Sequence, residues 1–302
     1  AKKMLREGVV RKAASCGVCS RSVPVEGDCP DEKIARRDAL IGAVEKYGFD
    51  RVMEEAAFTW FLRLAALRLM EVNGFLPSEL SLLEEKSLTE EAFRRRIVSL
   101  CGAYEEWLPG DYFGREDYTL LLLPDDLRGS GVADSFVNGI PEEWFDLSAE
   151  GSRLGVMGWL YQYYLSDEHT TVVNPLHGKK VSREDIPAAT QIFTPEWVAK
   201  FLTENTVGRY WAERNSASAL TGSLEYLVMR EGMFTRRTEV SAVPRDLTVL
   251  DPCVGSGIFL ITAFDLLLKI YEEQGVSPRD AAAGIVRDHL FGLDIDRRVV
   301  RL

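Results

Sequence analysis

The sequence predicts an α + α/β protein: a helical N-terminal domain followed by the opening elements of a doubly wound α/β sheet. Three observations predict it. Apolar residues recur at helical spacing over Ala56–Glu71, with Trp60, Leu64, Leu67 and Met70 on or near one face. A short apolar run, Leu247–Leu250, ends in Asp251-Pro252 and two glycines, Gly255 and Gly257, before a long helix-like run, Ile258–Gln274. A second short apolar run, 290–294, follows a helix start at Ser277-Pro278-Arg279-Asp280. Short strands alternating with helices are the pattern of a parallel sheet.

The elements read in order as follows. Residues 1–32 are mixed, basic and cysteine-bearing, with Pro24 and Pro30 near the end, and are expected to be flexible. Residues 33–168 form the helical domain, with Gly74-Phe75-Leu76-Pro77 ending the helix over Ala56–Glu71. Further helices are expected at about Thr89–Ala103, 116–123 and 151–166. A polar loop spans 169–184. Its Asn174-Pro175-Leu176 reads as a turn. Residues 185–302 form the start of the α/β domain. Thr194-Pro195-Glu196 is a good helix start, with Thr194 as N-cap and Pro195 at the first helical position, and that helix is expected to run to about Arg214. Another helix is expected near 219–232, ahead of the strand at 247–250. Ser277, Pro278 and Asp280 supply cap, first-position proline and first-turn acid for a shorter helix.

The chain has 302 residues, enough for two domains, with ordinary globular proportions of 46% hydrophobic and 27% charged residues. No apolar run approaches the ~18 residues of a membrane span, and no signal peptide is visible, so a cytoplasmic protein is expected. The formal net charge of −11 does not suggest a free-standing nucleic-acid binder. Basic clusters at Arg94-Arg95-Arg96, Lys179-Lys180 and Arg236-Arg237 read as solvated surface. Cys16-Gly17-Val18-Cys19 has the spacing of half a zinc site, and Cys29 could be a third ligand. No fourth Cys or His lies nearby, so an incidental pair is favoured and no metal is assigned.

The glycine turn carries the chemistry. A strand, a tight turn and a helix bring backbone N–H groups to an anionic ligand at the helix N-terminus. The dinucleotide pattern G-x-G-x-x-G is incomplete, because Leu260 stands at the third glycine position. The phosphate loop G-x-x-x-x-G-K-[ST] is absent, since no Lys-Ser/Thr pair follows Gly257. An acid at the strand end, Asp251, would repel phosphate but accept hydrogen bonds from an ammonium group. A ligand with both ammonium and carboxylate fits, and S-adenosylmethionine is such a ligand.

At these residues the sequence resembles the γ-type N6-adenine DNA methyltransferases. Asp251-Pro252-Cys253-Val254-Gly255-Ser256-Gly257 resembles motif I, D-P-A-C-G-S-G, with Cys253-Val254 in place of Ala-Cys. Leu290-Phe291-Gly292-Leu293-Asp294-Ile295-Asp296 resembles motif II, whose first acid binds the ribose hydroxyls; that role falls to Asp294, with Asp296 the neighbouring candidate. Ala189-Thr190-Gln191-Ile192-Phe193-Thr194-Pro195 resembles motif X, which packs across the methionine end of the cofactor. The order X, I, II is that of the γ type. The resemblance implies a Rossmann-like class I S-adenosylmethionine-dependent methyltransferase domain. Its cofactor site would comprise Phe193, Thr194, Pro195, Asp251, Pro252, Cys253, Gly255, Gly257 and Asp294.

Phe58–Pro77, Gly158-Trp159-Leu160-Tyr161-Gln162-Tyr163-Tyr164 and Asp185–Gln191 resemble the PglX group of BREX phage-defence methyltransferases. This narrower resemblance covers about residues 33–302. It implies transfer of a methyl group to adenine N6 in double-stranded DNA, marking host DNA in a bacterial defence system; type IIG restriction–modification enzymes share the core. The catalytic motif N-P-P-aromatic is expected beyond Leu302, so no catalytic residue is assigned, and the chain, which begins at Ala1 without Met, reads as a piece of a longer protein that would be inactive alone. DNA contacts and any defence partners are expected mainly outside it. Two other classes stay open: a non-catalytic S-adenosylmethionine-binding subunit or regulator, and a methyltransferase acting on RNA, protein or a small molecule.

Overall fold

The computed structural model describes residues 1–19, 31–76, 87–104, 118–148, 155–173, 181–182, 185–190, 192, 194–228, 242–296 and 299–301. It is mostly helical, with one small two-stranded parallel sheet. The chain divides into two compact units, Ala1–Leu160 and Tyr161–Leu302. The division falls ahead of the loop expected at 169–184, most of which lies outside the described residues, as do Asn174–Leu176 and both Lys179-Lys180 and Arg236-Arg237.

The first unit contains α1 (Lys2–Ser15), α2 (Asp31–Tyr47), α3 (Phe49–Val72), α4 (Glu90–Tyr104) and α5 (Val132–Val137). Helix α3 is its core. Val52, Ala56, Phe58, Trp60, Phe61, Leu62, Leu64, Ala65 and Leu67 are buried over most of its circumference, as expected of a helix packed on most sides. Trp60 is therefore core, and its indole N–H donates to Thr119 O at 2.8 Å. Two buried arginines on α3 are compensated: Arg63 donates to Thr119 Oγ1 at 2.7 Å and lies 4.9 Å from the Trp60 ring centre, and Arg68 pairs with Glu71 and Glu142 at 3.3 and 3.0 Å.

Two expectations for this unit are corrected. Residues 1–19, within the segment expected to be flexible, hold α1, which packs on α3 with Leu5, Val9 and Ala13 fully buried. Their i, i+4 spacing makes one apolar stripe between charged positions. Of the helix expected at 116–123, the described part is only a 3-10 turn, Tyr118–Leu120.

Helix α6 (Val156–Val173) spans the unit boundary. The second unit continues with α7 (Ile186–Thr190), α8 (Glu196–Thr203), a π-helical turn (Glu204–Gly208) and α9 (Arg209–Arg214). The single helix expected from Pro195 to Arg214 is thus interrupted. The π-turn is held by its own side chains: Glu204 Oε2 accepts from Tyr226 N at 2.5 Å, while Asn205 donates to Tyr226 O and accepts from Val228 N, both at 2.8 Å. Near 219–232 the described residues hold a 3-10 turn, Ala219–Ser223, rather than a helix.

Then come β1 (Val249–Asp251), α10 (Ile258–Glu273), α11 (Pro278–Asp288) and β2 (Leu290–Gly292). The strands pair in parallel, Val249 opposite Leu290 and Asp251 opposite Gly292. Leu266, Leu267 and Ile270 of α10, Ala281 and Ile285 of α11, Trp211 and Leu247 form the core, against which Val249 and Leu290 pack. The opposite face of the sheet leaves Leu250, Phe291 and Leu293 60%, 48% and 60% exposed. Ser277 caps α11, its hydroxyl accepting from Asp280 N at 3.2 Å, with Pro278 at the first helical position. His289 ties the strand starts together. Its Nδ1 lies 2.5 Å from Leu247 O, and only the Nδ1–H tautomer can donate there. Nε2 is then left to accept from Tyr271 Oη at 2.8 Å.

Candidate cofactor site

The site grows from the ends of β1 and β2. Beyond Asp251 and Gly292 the strands continue to exchange backbone bonds, Leu293 N to Asp251 O and Val254 N to Leu293 O, both 2.9 Å. This extended pairing brings the turn after β1 against the segment after β2. The turn reverses through Gly255 (φ +53°) and Gly257 (φ +82°), left-handed backbone that L side chains rarely adopt. Gly257 is the N-cap of α10 and donates back to Val254 O at 2.8 Å.

Asp294 clasps the two segments. Its Oδ2 accepts from Gly255 N at 3.0 Å and its Oδ1 from Asp296 N at 2.9 Å. A carboxylate has about four acceptor positions, so Asp294, half-buried, keeps acceptor capacity for a ligand hydroxyl. Asp296 is a different kind of acid. It is 6% exposed, and Tyr161 Oη donates to its Oδ2 at 2.7 Å.

Asp251 closes a local Asx turn, Oδ1 accepting from Cys253 N at 3.0 Å. Its Oδ2 is buried with no hydrogen-bond partner among the described residues. A buried unpaired carboxylate oxygen is costly and invites a donor. Beyond the glycine turn, the first N–H groups of α10, at Ile258, Phe259 and Leu260, have no intrahelical acceptor and carry the positive end of the helix dipole. Carboxylate oxygen and helix N-terminus together suit a ligand bearing both a cationic and an anionic group. The Gly255 and Gly257 N–H groups are themselves engaged within the protein, with Asp294 Oδ2 and Val254 O.

Asp251, Pro252, Cys253, Gly255, Gly257 and Asp294 thus converge, with Pro252 and Cys253 exposed. Thr194 and Pro195 lie at the start of α8, which packs against α10. The N-cap there is Pro195, not Thr194, and no side chain caps the helix. Pro195, with φ −58° and ψ +142°, takes the extended geometry of a cap, so α8 starts one residue later than the sequence pattern suggests. Phe193 lies outside the described residues, as does Cys29; Cys16 and Cys19 are free thiols, half-buried and exposed. Among the described residues no group of three or more His, Cys, Asp or Glu side chains could hold a metal ion, and no helix is long and apolar enough to cross a membrane.

Sequence reasoning missed two features. Gly292 allows the turn to approach β2, since a Cβ there would lie 2.8 Å from Val254 Cγ2. The Tyr161–Asp296 pair was hidden by its sequence separation, although both residues stand in segments the resemblance singled out.

No family model matches the chain. Among individual proteins it is 33% identical, over 91% of its length, to the adenine-specific methyltransferase BrxX of Escherichia coli O9:H4 (strain HS). It is 34% identical, over 83% of its length, to the adenine-specific methyltransferase PglX of Lacticaseibacillus casei (strain Zhang). The chain spans about a quarter of the length of these curated relatives, 26% and 25% respectively. These matches bear out the resemblance to the PglX group drawn from the motifs.

Proposed function

We propose, on the premise that this chain is homologous to the adenine-specific methyltransferases BrxX and PglX, that it supplies the donor-binding part of a DNA methyltransferase. The enzyme would methylate adenine N6 in double-stranded DNA within a BREX phage-defence system of the cytoplasm. The β1–α10–α11–β2 arrangement supports the opening of a Rossmann-like domain. The observation that carries the cofactor assignment is the buried, unpartnered Asp251 Oδ2 at the end of β1, where the chain enters the glycine turn that leads into α10. S-adenosylmethionine fits that pair of features, with its ammonium at Asp251 and its carboxylate at the α10 N–H groups.

When bound, the cofactor supplies an electrophilic sulfonium methyl group. Methyl transfer depends on alignment of donor and acceptor, so the task of these residues is to fix the donor. Asp251 holds the ammonium, Asp294 accepts from the ribose hydroxyls, and the Gly255–Gly257 turn, free of side chains at its tightest points, lets the ligand approach the backbone. Thr194 and Pro195, with Phe193, would close the methionine end, and Pro252 and Cys253 would line the turn. The adenine acceptor must leave the duplex to reach the methyl group.

Calorimetric titration of the protein with S-adenosylmethionine tests the reading. Asp294→Ala is expected to weaken binding more than tenfold, in line with loss of hydrogen bonds to a charged acceptor. Absence of binding to the wild-type protein would remove the cofactor assignment. Methyl transfer to adenine in DNA by the full-length protein tests the reaction itself.

A further inference from the structure

We infer that the buried Tyr161–Asp296 pair is a positioning device that aims Asp294 at the ribose, and that Asp296 itself is not a ligand. The inference rests on the cofactor reading above. Asp296 is 6% exposed and Tyr161 5%, so neither side chain is placed to meet a ligand arriving from solvent. Burying a carboxylate is costly unless it is hydrogen-bonded. The Tyr161 hydroxyl, 2.7 Å from Asp296 Oδ2, offsets that cost with a short bond to the acid.

The effect on Asp294 runs through the backbone. With its side chain anchored on α6, residue 296 has a fixed peptide orientation. Its carbonyl accepts from Val299 N at 3.1 Å, holding the following 3-10 turn. Its N–H points at Asp294 Oδ1, 2.9 Å away. Gly255 N holds the other oxygen at 3.0 Å. The Asp294 carboxylate is therefore fixed at both oxygens, one bond from the turn after β1 and one from residue 296. Two fixed N–H donors set the plane of the carboxylate and so the direction of its remaining acceptor positions. Asp294 is a half-buried side chain on an irregular segment, and without the second bond its χ angles have more freedom to rotate. Tyr161 thus acts on the ribose through Asp296 and Asp294 without touching it.

The test compares two ligands on the full chain: S-adenosylhomocysteine and its 2′-deoxyribose analogue. In the wild-type protein the analogue is expected to bind about tenfold or more weakly, the worth of a hydrogen bond to a charged acceptor. In Tyr161→Phe the natural ligand weakens and the ratio between the two ligands falls toward one. Asp296→Asn, which keeps an oxygen for the tyrosine hydroxyl, is expected to preserve the ratio. Circular dichroism identifies folded variants, and if Tyr161→Phe does not fold, Asp296→Ala replaces it. Equal weakening of both ligands in the folded variant, or no change in either, would overturn the inference and leave the cofactor reading intact. Failure of the wild-type protein to bind either ligand would overturn both.

Discussion

Val254 lies against Gly292 so closely that a Cβ added to the glycine would come within 2.8 Å of Val254 Cγ2 and 3.2 Å of Leu260 Cδ1. The valine stands where the resembled motif has a smaller cysteine, and the glycine opposite is what leaves room for it. Gly292→Ala is expected to displace the turn after β1, lowering stability by about 1–3 kcal/mol as overpacking does and weakening cofactor binding with it. Gly292→Ala combined with Val254→Ala, which removes the 2.8 Å contact but keeps the valine Cβ at 3.1 Å, should recover part of both. A double variant as impaired as the single one would show that the contact does not set the turn.

Cys253 is an exposed free thiol in the turn, two residues from Asp251. In a Cys16→Ser, Cys19→Ser background, alkylation of Cys253 is expected to slow at least several-fold when S-adenosylmethionine is added. Mass spectrometry of the labelled peptide measures this directly. Unchanged labelling at saturating cofactor would place the ligand away from the turn.

Asp251→Asn tests the unpaired oxygen. The substitution keeps the Asx turn to Cys253 N but replaces a charged acceptor with an amide. Cofactor affinity should fall by about tenfold or more, while affinity for 5′-methylthioadenosine, which has no ammonium group, should stay near the wild-type value. Equal loss for both ligands would argue against an ammonium contact.

His289 is 2% exposed and bonded at both ring nitrogens. His289→Phe keeps the ring but strands Leu247 O in the core, a loss of roughly 1–3 kcal/mol. Denaturant unfolding should register it without a change in the slope of the transition. Tyr271→Phe, which removes only the outer bond, should cost less.

Glu273 gathers hydrogen bonds from Ser218 Oγ at 2.6 Å, Ala219 N at 2.6 Å and Trp211 Nε1 at 3.4 Å. Burial pushes its carboxyl up, but the three donors together outweigh burial and hold it below the usual glutamate range. A carboxyl depressed in the folded state contributes stability that is present above its unfolded value of about 4.3 and is lost as pH falls through the folded value. Glu273→Gln should therefore lower the melting temperature by roughly 2 °C at pH 7, and the difference should shrink as pH falls below about 4. A difference independent of pH would sink the charge argument.

Legibility in the sequence followed the range of the interaction. The strand–turn–helix at 249–273 and the Ser277 cap are written in neighbouring residues: an apolar run, glycines where φ turns positive, a serine before a proline. Helix α1 was also written locally, in Leu5, Val9 and Ala13, but cysteines and prolines at 16–30 masked the stripe. The break between α8 and α9 could not be read, because the π-turn depends on Glu204 and Asn205 meeting residues 226–228. The same holds for the acids of the site. Asp294 and Asp296 differ by two positions in one segment, yet one faces Gly255 and the other Tyr161. Only the parallel register of β1 on β2 and the place of α6 decide which is which.

The bare face of the sheet bears on how this 302-residue chain behaves by itself in a tube. Leu250, Phe291 and Leu293 form an apolar patch beside strands that each have one edge without a ladder partner among the described residues. Such a patch is a nucleus for concentration-dependent clumping, opposed here by the mutual repulsion of molecules carrying a net −11. Salt shortens that repulsion to about 8 Å at physiological ionic strength. Light scattering should therefore rise with added salt, and a Leu250→Lys variant should stay clear where the parent turns turbid.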